Sequence, residues 1–315
     1  MSHPAGPPTP PWPGGPVPEG VSGKRVPPEA PSGSATPPQA APAVCVRHPD
    51  RATGLTCTRC GRPACPECLR EASVGHQCVD CIDQGARGVR RGVTIAGARP
   101  GGRPVVTPVL VALNVAVFAW TVVTSGSVSR NALSPLFAEW ALIPGAVADG
   151  EWWRLITGGF LHFGPIHLLF NMWALWVIGR DVEPALGRGR FLALYLVSLL
   201  GASTAVMLLT TPNANVAGAS GAVFGLMGAL AVLLRRLHIP LGQVGGVIAI
   251  NLAITFLLPG ISVAGHLGGL ITGAAATAAL VYAPAQRRGP VQAVALVGIA
   301  VVLLLAVVLR MAALG

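Results

Sequence analysis

Charged residues are scarce in this sequence. They make up 11% of its 315 residues, whereas a typical soluble domain has about 25%. Only 15 charged side chains occur among the last 211 residues, from Val105 onward. This excludes a water-soluble protein of ordinary composition, and it indicates that the part after Val105 lies in a membrane. We therefore interpret the net charge of +10 as a consequence of membrane topology before considering nucleic-acid binding.

Two further features are missing. No aspartate or glutamate occurs after Glu183, so a buried carboxylate from the later segments is excluded. The start of the chain also lacks an apolar stretch behind basic residues, which a cleavable signal peptide requires. We therefore expect the amino-terminal region to stay in the cytoplasm.

Proline is abundant where aliphatic residues are rare. Residues 1–43 contain 14 of the 29 prolines, together with glycine, serine and alanine. Such a segment cannot bury enough apolar surface to form a core. We predict that residues 1–43 are a disordered tail.

All seven cysteines lie in one short window, between Cys45 and Cys81. With one histidine they form four pairs, each with two intervening residues: Cys45 and His48, Cys57 and Cys60, Cys65 and Cys68, and Cys78 and Cys81. This spacing lets a tight turn point two soft ligands at one Zn²⁺, and eight ligands suit two closed tetrahedral sites. We predict a zinc-binding module at 44–83 with two structural ions, since no ligand position is left for water.

A disulfide scaffold is the alternative interpretation of these cysteines. The odd number of cysteines, the metal-like spacing and the expected cytosolic location all disfavour it.

Residues 84–104 contain five arginines among glycines, which is typical of a basic juxtamembrane linker. A nucleic-acid role for this segment and the zinc module is the alternative. The sequence lacks the interleaved aromatic residues and the basic helix that would favour it, so we expect no nucleic-acid partner.

Seven apolar stretches of spanning length or close to it follow. They cover residues 105–124, 165–178, 191–211, 216–234, 241–258, 261–282 and 291–309. The arginine-rich connections all fall on one side of these stretches, and the positive-inside rule makes that side cytoplasmic. The sequence therefore predicts an all-α, multi-pass protein of the cell membrane, with the amino terminus in the cytoplasm and the carboxyl terminus outside.

Polar side chains inside membrane spans are costly and are candidates for function. Ser220 and His266 lie at similar predicted depth near the outer ends of adjacent spans, and they are the minimum for a nucleophile and its general base. His167 and Asn171 are four residues apart and share a helix face, from which they could donate hydrogen bonds to an oxyanion. Because no acidic residue follows Glu183, we predict a Ser–His dyad rather than a triad.

Five motifs occur in a fixed order along the chain. They are Trp153-Arg154, His162-x4-His167-x3-Asn171, Gly179-x3-Glu183-x3-Gly187, Gly218-Ala219-Ser220-Gly221 and Gly265-His266-x2-Gly269-x3-Gly273. In these motifs the chain resembles the rhomboid family of intramembrane serine proteases, over about residues 105–282. The resemblance implies a rhomboid-like bundle of six transmembrane helices at 105–282, to which a seventh helix at 291–310 is added. It does not extend to the tail, the cysteine module or the linker.

The resemblance also implies the activity and the roles of the site residues. The activity is that of a serine endopeptidase that cleaves transmembrane protein substrates within the lipid bilayer, without a catalytic cofactor. Ser220 would be the nucleophile and His266 the base. His167, Asn171 and Gly218 would belong to the oxyanion site.

His162 and the Trp153-Arg154 pair would be structural supports of the water-accessible cavity that the family has.

The cysteine module is similar to B-box zinc modules of the cross-brace kind. This resemblance implies that Cys45, His48, Cys65 and Cys68 share one ion and that Cys57, Cys60, Cys78 and Cys81 share the other. His76 is a spare candidate ligand. A cytosolic protein partner of the module is expected.

Two alternatives to a protease remain. One is a catalytically silent rhomboid-like scaffold that binds membrane proteins, and the presence of both Ser220 and His266 argues against it. The other is a zinc-module adaptor for which the membrane region is only an anchor. The adaptor hypothesis predicts that residues 44–83 alone carry the biological activity.

Overall fold

The structure is a computed structural model that describes residues 42–88, 92–100, 102–257 and 260–314. Nearly all of the predicted disordered tail, residues 1–41, lies outside the described residues. So do Pro259, in the predicted turn between the fifth and sixth apolar stretches, and a few residues of the predicted linker. The chain divides into two compact units, whose described parts are residues 42–88 and residues 92–314.

The first unit is small and contains little regular structure. A single 3-10 turn at Pro66–Cys68 leads into strand β1 (Leu69–Glu71), which pairs antiparallel with strand β2 (His76–Cys78). Helix α1 (Val79–Gly88) follows and continues five residues into the predicted linker. The buried side chains of the unit are six of its cysteines with one alanine and one leucine. Burial of so few side chains cannot stabilise a unit of this size by itself.

The described part of the second unit contains seven long helices at the positions of the seven predicted apolar stretches. They are α2 (Val106–Ser125), α6 (Gly164–Leu186), α7 (Arg188–Leu209), α8 (Ser220–Arg236), α9 (Gly242–Leu257), α10 (Val263–Val281) and α11 (Arg288–Leu314). Three short helices lie between α2 and α6, namely α3 (Pro135–Trp140), α4 (Pro144–Ala148) and α5 (Arg154–Thr157). The protein is therefore an all-α membrane protein.

The long helices differ in their capacity to cross a membrane. Within the described residues, α2, α7, α10 and α11 are each long and apolar enough to do so. The segment that begins with α5 meets α6 at 95°, and the pair counts as a fifth candidate span if the two are taken as one broken span. Helix α8 has 17 residues, and the apolar part of α9 is also short. The expected count of seven spans stays a prediction.

Helices α8 and α10 approach each other so closely that their backbones touch. A Cβ atom on Gly269 would overlap the carbonyl oxygen of Gly221, and one on Gly273 would overlap that of Gly225. Glycines at four-residue spacing allow two membrane helices to pack in this way. This packing fixes the distance between the helices that carry Ser220 and His266.

We expect Gly269→Ala to destabilise the bundle, because the added methyl group can fit only if α8 and α10 move apart. Overpacking of this kind costs about 1–3 kcal/mol. Thermal unfolding of the purified protein would measure the loss. Gly298→Ala on α11 is the matched control, since a Cβ there has no atom within 4 Å. Equal stability of the two variants would contradict the close approach.

Glu183 holds the amino-terminal end of α2. Its two carboxylate oxygens accept hydrogen bonds from the backbone N–H groups of Val105, Val106 and Thr107 and from the Thr107 hydroxyl, at 2.7–2.9 Å. A carboxylate is favourable there because the first N–H groups of a helix have no partner within it. Gly179 allows the approach, since a Cβ on it would lie 2.7 Å from Thr107 Oγ1. Each of the two Glu183 carboxylate oxygens thereby accepts two hydrogen bonds from the start of α2.

Part of the predicted linker packs on the helix bundle at this same end. Ala96 and Ala98 are buried, and Gln292 of α11 donates hydrogen bonds from Nε2 to the carbonyl oxygens of Ala96 (3.0 Å) and Leu280 (2.7 Å). Arg190 of α7 donates from Nε to the Gln292 side-chain oxygen at 2.7 Å. The last helix therefore ties this segment to α7 and α10.

Candidate active site

Ser220 is the first residue of α8. The sequence predicted an apolar stretch at 216–234, and its predicted start is wrong, because the helix does not begin at Val216. Val216 instead forms an antiparallel bridge with Leu142, and Gly218 has a φ of 137°, which favours glycine and is incompatible with a helix. The chain therefore enters α8 only at Ser220, whose backbone N–H lies at the helix amino terminus.

His266 lies one turn into α10, where the Ser262 hydroxyl caps the helix by accepting the Gly265 N–H. Its Nε2 atom is 2.8 Å from Ser220 Oγ. His266 is buried and Ser220 is half-buried. The two side chains that the sequence predicted to meet are thus within hydrogen-bonding distance.

Thr255 of α9 determines which nitrogen of His266 carries the proton. Its hydroxyl lies 2.7 Å from His266 Nδ1 and donates to the Asn251 carbonyl oxygen, also at 2.7 Å. A carbonyl can only accept, so we assign the single hydroxyl proton to that bond, with the Thr255 oxygen accepting from Nδ1–H. This assigns the neutral tautomer in which Nε2 is unprotonated and can accept the Ser220 proton.

Phe224 fixes the plane of the same imidazole. Its ring is stacked on that of His266, with a centroid distance of 4.0 Å and an angle of 16° between the rings. Sequence reasoning missed both Thr255 and Phe224. Phe224 follows Ser220 by four residues and so shares its helix face, which was an available signal. The only signal for Thr255 was a polar side chain in an apolar helix.

His167 of α6 lies beside Ser220. Its Nδ1 accepts the Phe163 N–H at 3.2 Å, so the neutral ring carries its proton on Nε2. A Cβ on Gly218 would lie 3.0 Å from His167 Nε2 and 3.6 Å from Ser220 Oγ. The missing side chain of Gly218 therefore leaves a space that both polar atoms border.

Asn171 is buried one turn further along α6. Its Nδ2 donates to the His167 carbonyl oxygen of its own helix at 2.9 Å. The amide has a second N–H, which this bond does not use. The structure thus places Asn171 on the same helix as His167, with one amide N–H available to donate a further hydrogen bond.

The other three predicted residues lie in the connection before α6. Arg154 is buried and donates to the carbonyl oxygens of Ala138 and Ala141, both at 2.8 Å, and to the Glu151 carboxylate. Trp153 donates to the Glu139 carbonyl oxygen at 3.2 Å. Arg154 therefore joins α3 to α5.

His162 is fully buried, with its ring edge-on to that of His167 at 5.1 Å. Its carbonyl oxygen accepts from Asn131 at 2.8 Å. These contacts join the connection that follows α2 to the start of α6.

The cysteine module forms two groups of potential metal ligands. Cys45, His48, Cys65 and Cys68 form one group, and Cys57, Cys60, Cys78 and Cys81 form the other. The groups have the membership that the B-box resemblance implies, and His76, on β2, belongs to neither. All seven cysteines are free, which disfavours the disulfide scaffold.

The distances within both groups suit a metal ion. His48 Nδ1 is 3.3 Å from Cys68 Sγ and 3.4 Å from Cys65 Sγ, and Cys60 Sγ is 3.8 Å from Cys78 Sγ. Tetrahedral ligands at a Zn–S distance of 2.3 Å are themselves separated by about 3.8 Å. Each group could therefore close around one ion.

The protonation chemistry of the thiols also fits a cation. Backbone N–H donation from Cys65 lowers the pKa of Cys45 to about 6, and donation from Cys78 lowers the pKa of Cys57 to about 6. Burial raises the pKa of Cys68 to about 11. Each group thus contains at least one thiol with a lowered pKa, and a cation would supply the charge that Cys68 needs to ionise.

The fold and the Ser220–His266 pair define a multi-pass membrane protein with a candidate serine-hydrolase site. A family model described as "Rhomboid domain" matches residues 149–283. Rhomboid protease GluP of Bacillus subtilis (strain 168) is 38% identical over 216 residues, which are 66% of this chain and 41% of that protein. Rhomboid protease AarA of Providencia stuartii is 31% identical over 217 residues, which are 59% of this chain and 76% of that protein. The chain belongs to the rhomboid family.

A third relative, rhomboid protease GlpG of Yersinia pestis (strain Pestoides F), is 33% identical over 128 residues, which are 38% of this chain and 45% of that protein. The chain spans about two fifths of the length of the Bacillus subtilis relative.

Proposed function

We propose that the protein is an intramembrane serine endopeptidase that cleaves transmembrane protein substrates. The observation that carries the proposal is the 2.8 Å distance between Ser220 Oγ and His266 Nε2, in a tautomer that leaves Nε2 free to accept a proton. Membership of the rhomboid family supports an intramembrane protease, because the relatives compared above are named as rhomboid proteases.

Ser220 and His266 perform the two halves of the reaction. The Ser220 oxygen attacks the scissile carbonyl carbon while its proton passes to His266 Nε2. His266 then returns the proton to the leaving amine as the carbon–nitrogen bond breaks, which leaves an acyl-enzyme. A water molecule, deprotonated by the same nitrogen, attacks the ester and restores Ser220. Thr255 holds the ring in the required tautomer without a carboxylate.

The oxyanion is stabilised from two sides. The Ser220 backbone N–H lies at the amino terminus of α8, where the helix dipole favours negative charge. His167 Nε2–H and the second amide N–H of Asn171 supply further donors across the space left by Gly218. Loss of one such donor typically lowers kcat by about 10²–10³.

The substrate must be locally unwound to react. A regular helix uses its amides in internal hydrogen bonds, so helix-destabilising residues near the cut favour cleavage. The substrate enters laterally from the lipid bilayer, and the site lies near the outer face, with the amino terminus of the enzyme in the cytoplasm and its carboxyl terminus outside. His162, Trp153 and Arg154 support the cavity that admits water to this site.

The cysteine module holds two structural Zn²⁺ ions, with the two ligand groups described above. Cysteine thiolates and histidine are the ligands that structural zinc prefers, and all positions of both sites are filled by the protein. The module is available for binding a cytosolic protein partner. The reaction at Ser220 uses no metal.

Reconstitution of the purified full chain into liposomes tests the proposed activity. The substrate is a single-span protein with glycine and proline near one end of its span, and a leucine-substituted version is the control. We expect fragments from the first substrate, identified by mass spectrometry, and little cleavage of the second. Binding of both substrates without cleavage of either would instead favour the silent scaffold.

Thr255→Val should lower kcat by about tenfold or more with little change in KM, because it leaves Nδ1–H buried without an acceptor and removes the tautomer preference. Thr255→Ser keeps the hydroxyl and should restore the rate. Steady-state kinetics on the same substrate would measure both. An unchanged kcat in Thr255→Val, or a rise in KM alone, would contradict the positioning role.

A further inference from the structure

A cavity of about 860 Å³ lies at the end of the helix bundle opposite Ser220. Four parts of the second unit line it within the described residues, namely residues 97–100 with 102–103, the turn between α6 and α7 with the adjoining helix ends, Leu280 of α10 and the start of α11. Neither Ser220 nor His266 lines it, and the proposed proteolysis gives it no role.

Four arginines line this cavity: Arg99, Arg103, Arg188 and Arg190. The first three are exposed, and within the described residues none of the four forms an ion pair with a carboxylate. The one acidic residue in the lining is Glu183. Both of its oxygens already accept hydrogen bonds from the start of α2. Within the described residues, four positive charges in the lining therefore stand against the single negative charge of Glu183, which leaves a net charge of +3.

One wall of the same cavity is apolar. Ala193 of α7, Leu280 of α10 and Ala293 and Leu296 of α11 line it. The outward face of α11 continues from this wall as exposed valines and leucines, including Val297 and Val301. A cationic rim beside an apolar wall on membrane helices matches a molecule with an anionic head and hydrocarbon chains, and it would not favour a free inorganic anion.

We propose that this cavity binds the phosphate headgroup of an anionic phospholipid. The arginines contact the phosphate, and the acyl chains run along α7 and α11. Guanidinium groups suit this role because they bind phosphate oxygens in a bidentate manner, and basic pockets between membrane helices are known to bind lipid headgroups. On the predicted topology the lipid belongs to the cytoplasmic leaflet.

Such a lipid would connect two elements that Gln292 already links, namely the segment that carries Ala96 and helix α7. Arg99 belongs to the segment that carries Ala96, and Arg188 begins α7. A phosphate between them adds a second tie between this segment and the bundle. The bound lipid is therefore expected to raise the thermal stability of the full chain.

Lipid titration of the purified full chain in detergent, followed by native mass spectrometry, tests the proposal. The probes are dioleoylphosphatidylglycerol, which is anionic, dioleoylphosphatidylcholine, which has the same acyl chains and no net charge, and inorganic phosphate. We expect the wild-type chain to retain phosphatidylglycerol in preference to phosphatidylcholine. Inorganic phosphate at the same concentration should not displace it.

Two double variants distinguish a specific lipid site in the cavity from general attraction of the lipid to a positively charged surface. Arg99→Gln with Arg188→Gln removes two lining charges, and Arg180→Gln with Arg235→Gln removes two exposed charges that do not line the cavity. The first double variant should bind phosphatidylglycerol on the order of 10- to 30-fold more weakly. This estimate assumes that each of the two removed arginines attracts the anionic headgroup as strongly as a basic residue near an anionic membrane surface does. The second should bind as the wild type does, and replacing Arg99 and Arg188 with lysine should retain most of the binding.

Three results would overturn the proposal. Equal weakening in both glutamine variants would show a diffuse charge effect, and equal retention of the two lipids would show that the headgroup is not recognised. Displacement by inorganic phosphate would assign the cavity to a free anion. These results do not depend on proteolysis, so they leave the proposed function untouched.

Discussion

We expect Ser220→Ala to abolish detectable cleavage of the reconstituted substrate and His266→Ala to lower it nearly as far. We expect each variant to lose on the order of 10³-fold or more in kcat, because the nucleophile and its base act as one unit. For the same reason the double variant should be little worse than either single one. Cleavage rates in liposomes, measured with all variants at equal protein content, would provide the comparison.

Controls for these variants use the same residue types away from the site. Ser129→Ala changes a serine outside the site, in the connection after α2, and His238→Asn changes an exposed histidine beyond α8. Asparagine is chosen because His238 has a φ of 58°, which asparagine tolerates better than alanine. Both controls should cleave as the wild type does. Full activity in Ser220→Ala or His266→Ala would contradict the mechanism.

We expect removal of metal to unfold the cysteine module and to leave proteolysis intact. The interior of residues 42–88 consists largely of metal-ligand candidates, so the module has almost no other core. Binding of structural zinc contributes about 10–16 kcal/mol in comparable small modules, more than burial can supply in a unit of this size. A strong chelator should therefore make these residues sensitive to protease in the full chain, while substrate cleavage continues.

Metal content measured by elemental mass spectrometry should give about two zinc ions per chain. Cys68→Ser should lower that number, and His76→Ala should leave it unchanged because His76 lies in neither ligand group. A module that stays protease-resistant without metal would contradict a structural role for zinc. Loss of cleavage on chelation would contradict the separation of the two functions.

The sequence predicted the helical class and the meeting of Ser220 with His266 because polar side chains are rare in membrane spans. When only a few polar side chains lie at the same predicted depth in the membrane, few pairings between them are possible. The spacing of the cysteines was equally informative, since a pair with two intervening residues can serve one ion through a local turn.

Features that depend on distant segments could not be predicted in this way. Hydropathy does not show where the backbone leaves the helix, so it did not place the start of α8 at Ser220, where the bridge of Val216 to Leu142 and the φ of Gly218 decide it. Thr255 and Gln292 have partners on other elements that no local pattern encodes. The docking of Ala96 on the bundle depends on Gln292, which comes 196 positions later.

The site of covalent modification by a fluorophosphonate is the most direct test of the central claim that Ser220 is a nucleophile activated by His266. Peptide mapping of the full chain should find the modification on Ser220, and His266→Ala should remove it while the variant stays folded. Modification of a different serine would contradict the claim. So would an unmodified protein that still cleaves its substrate.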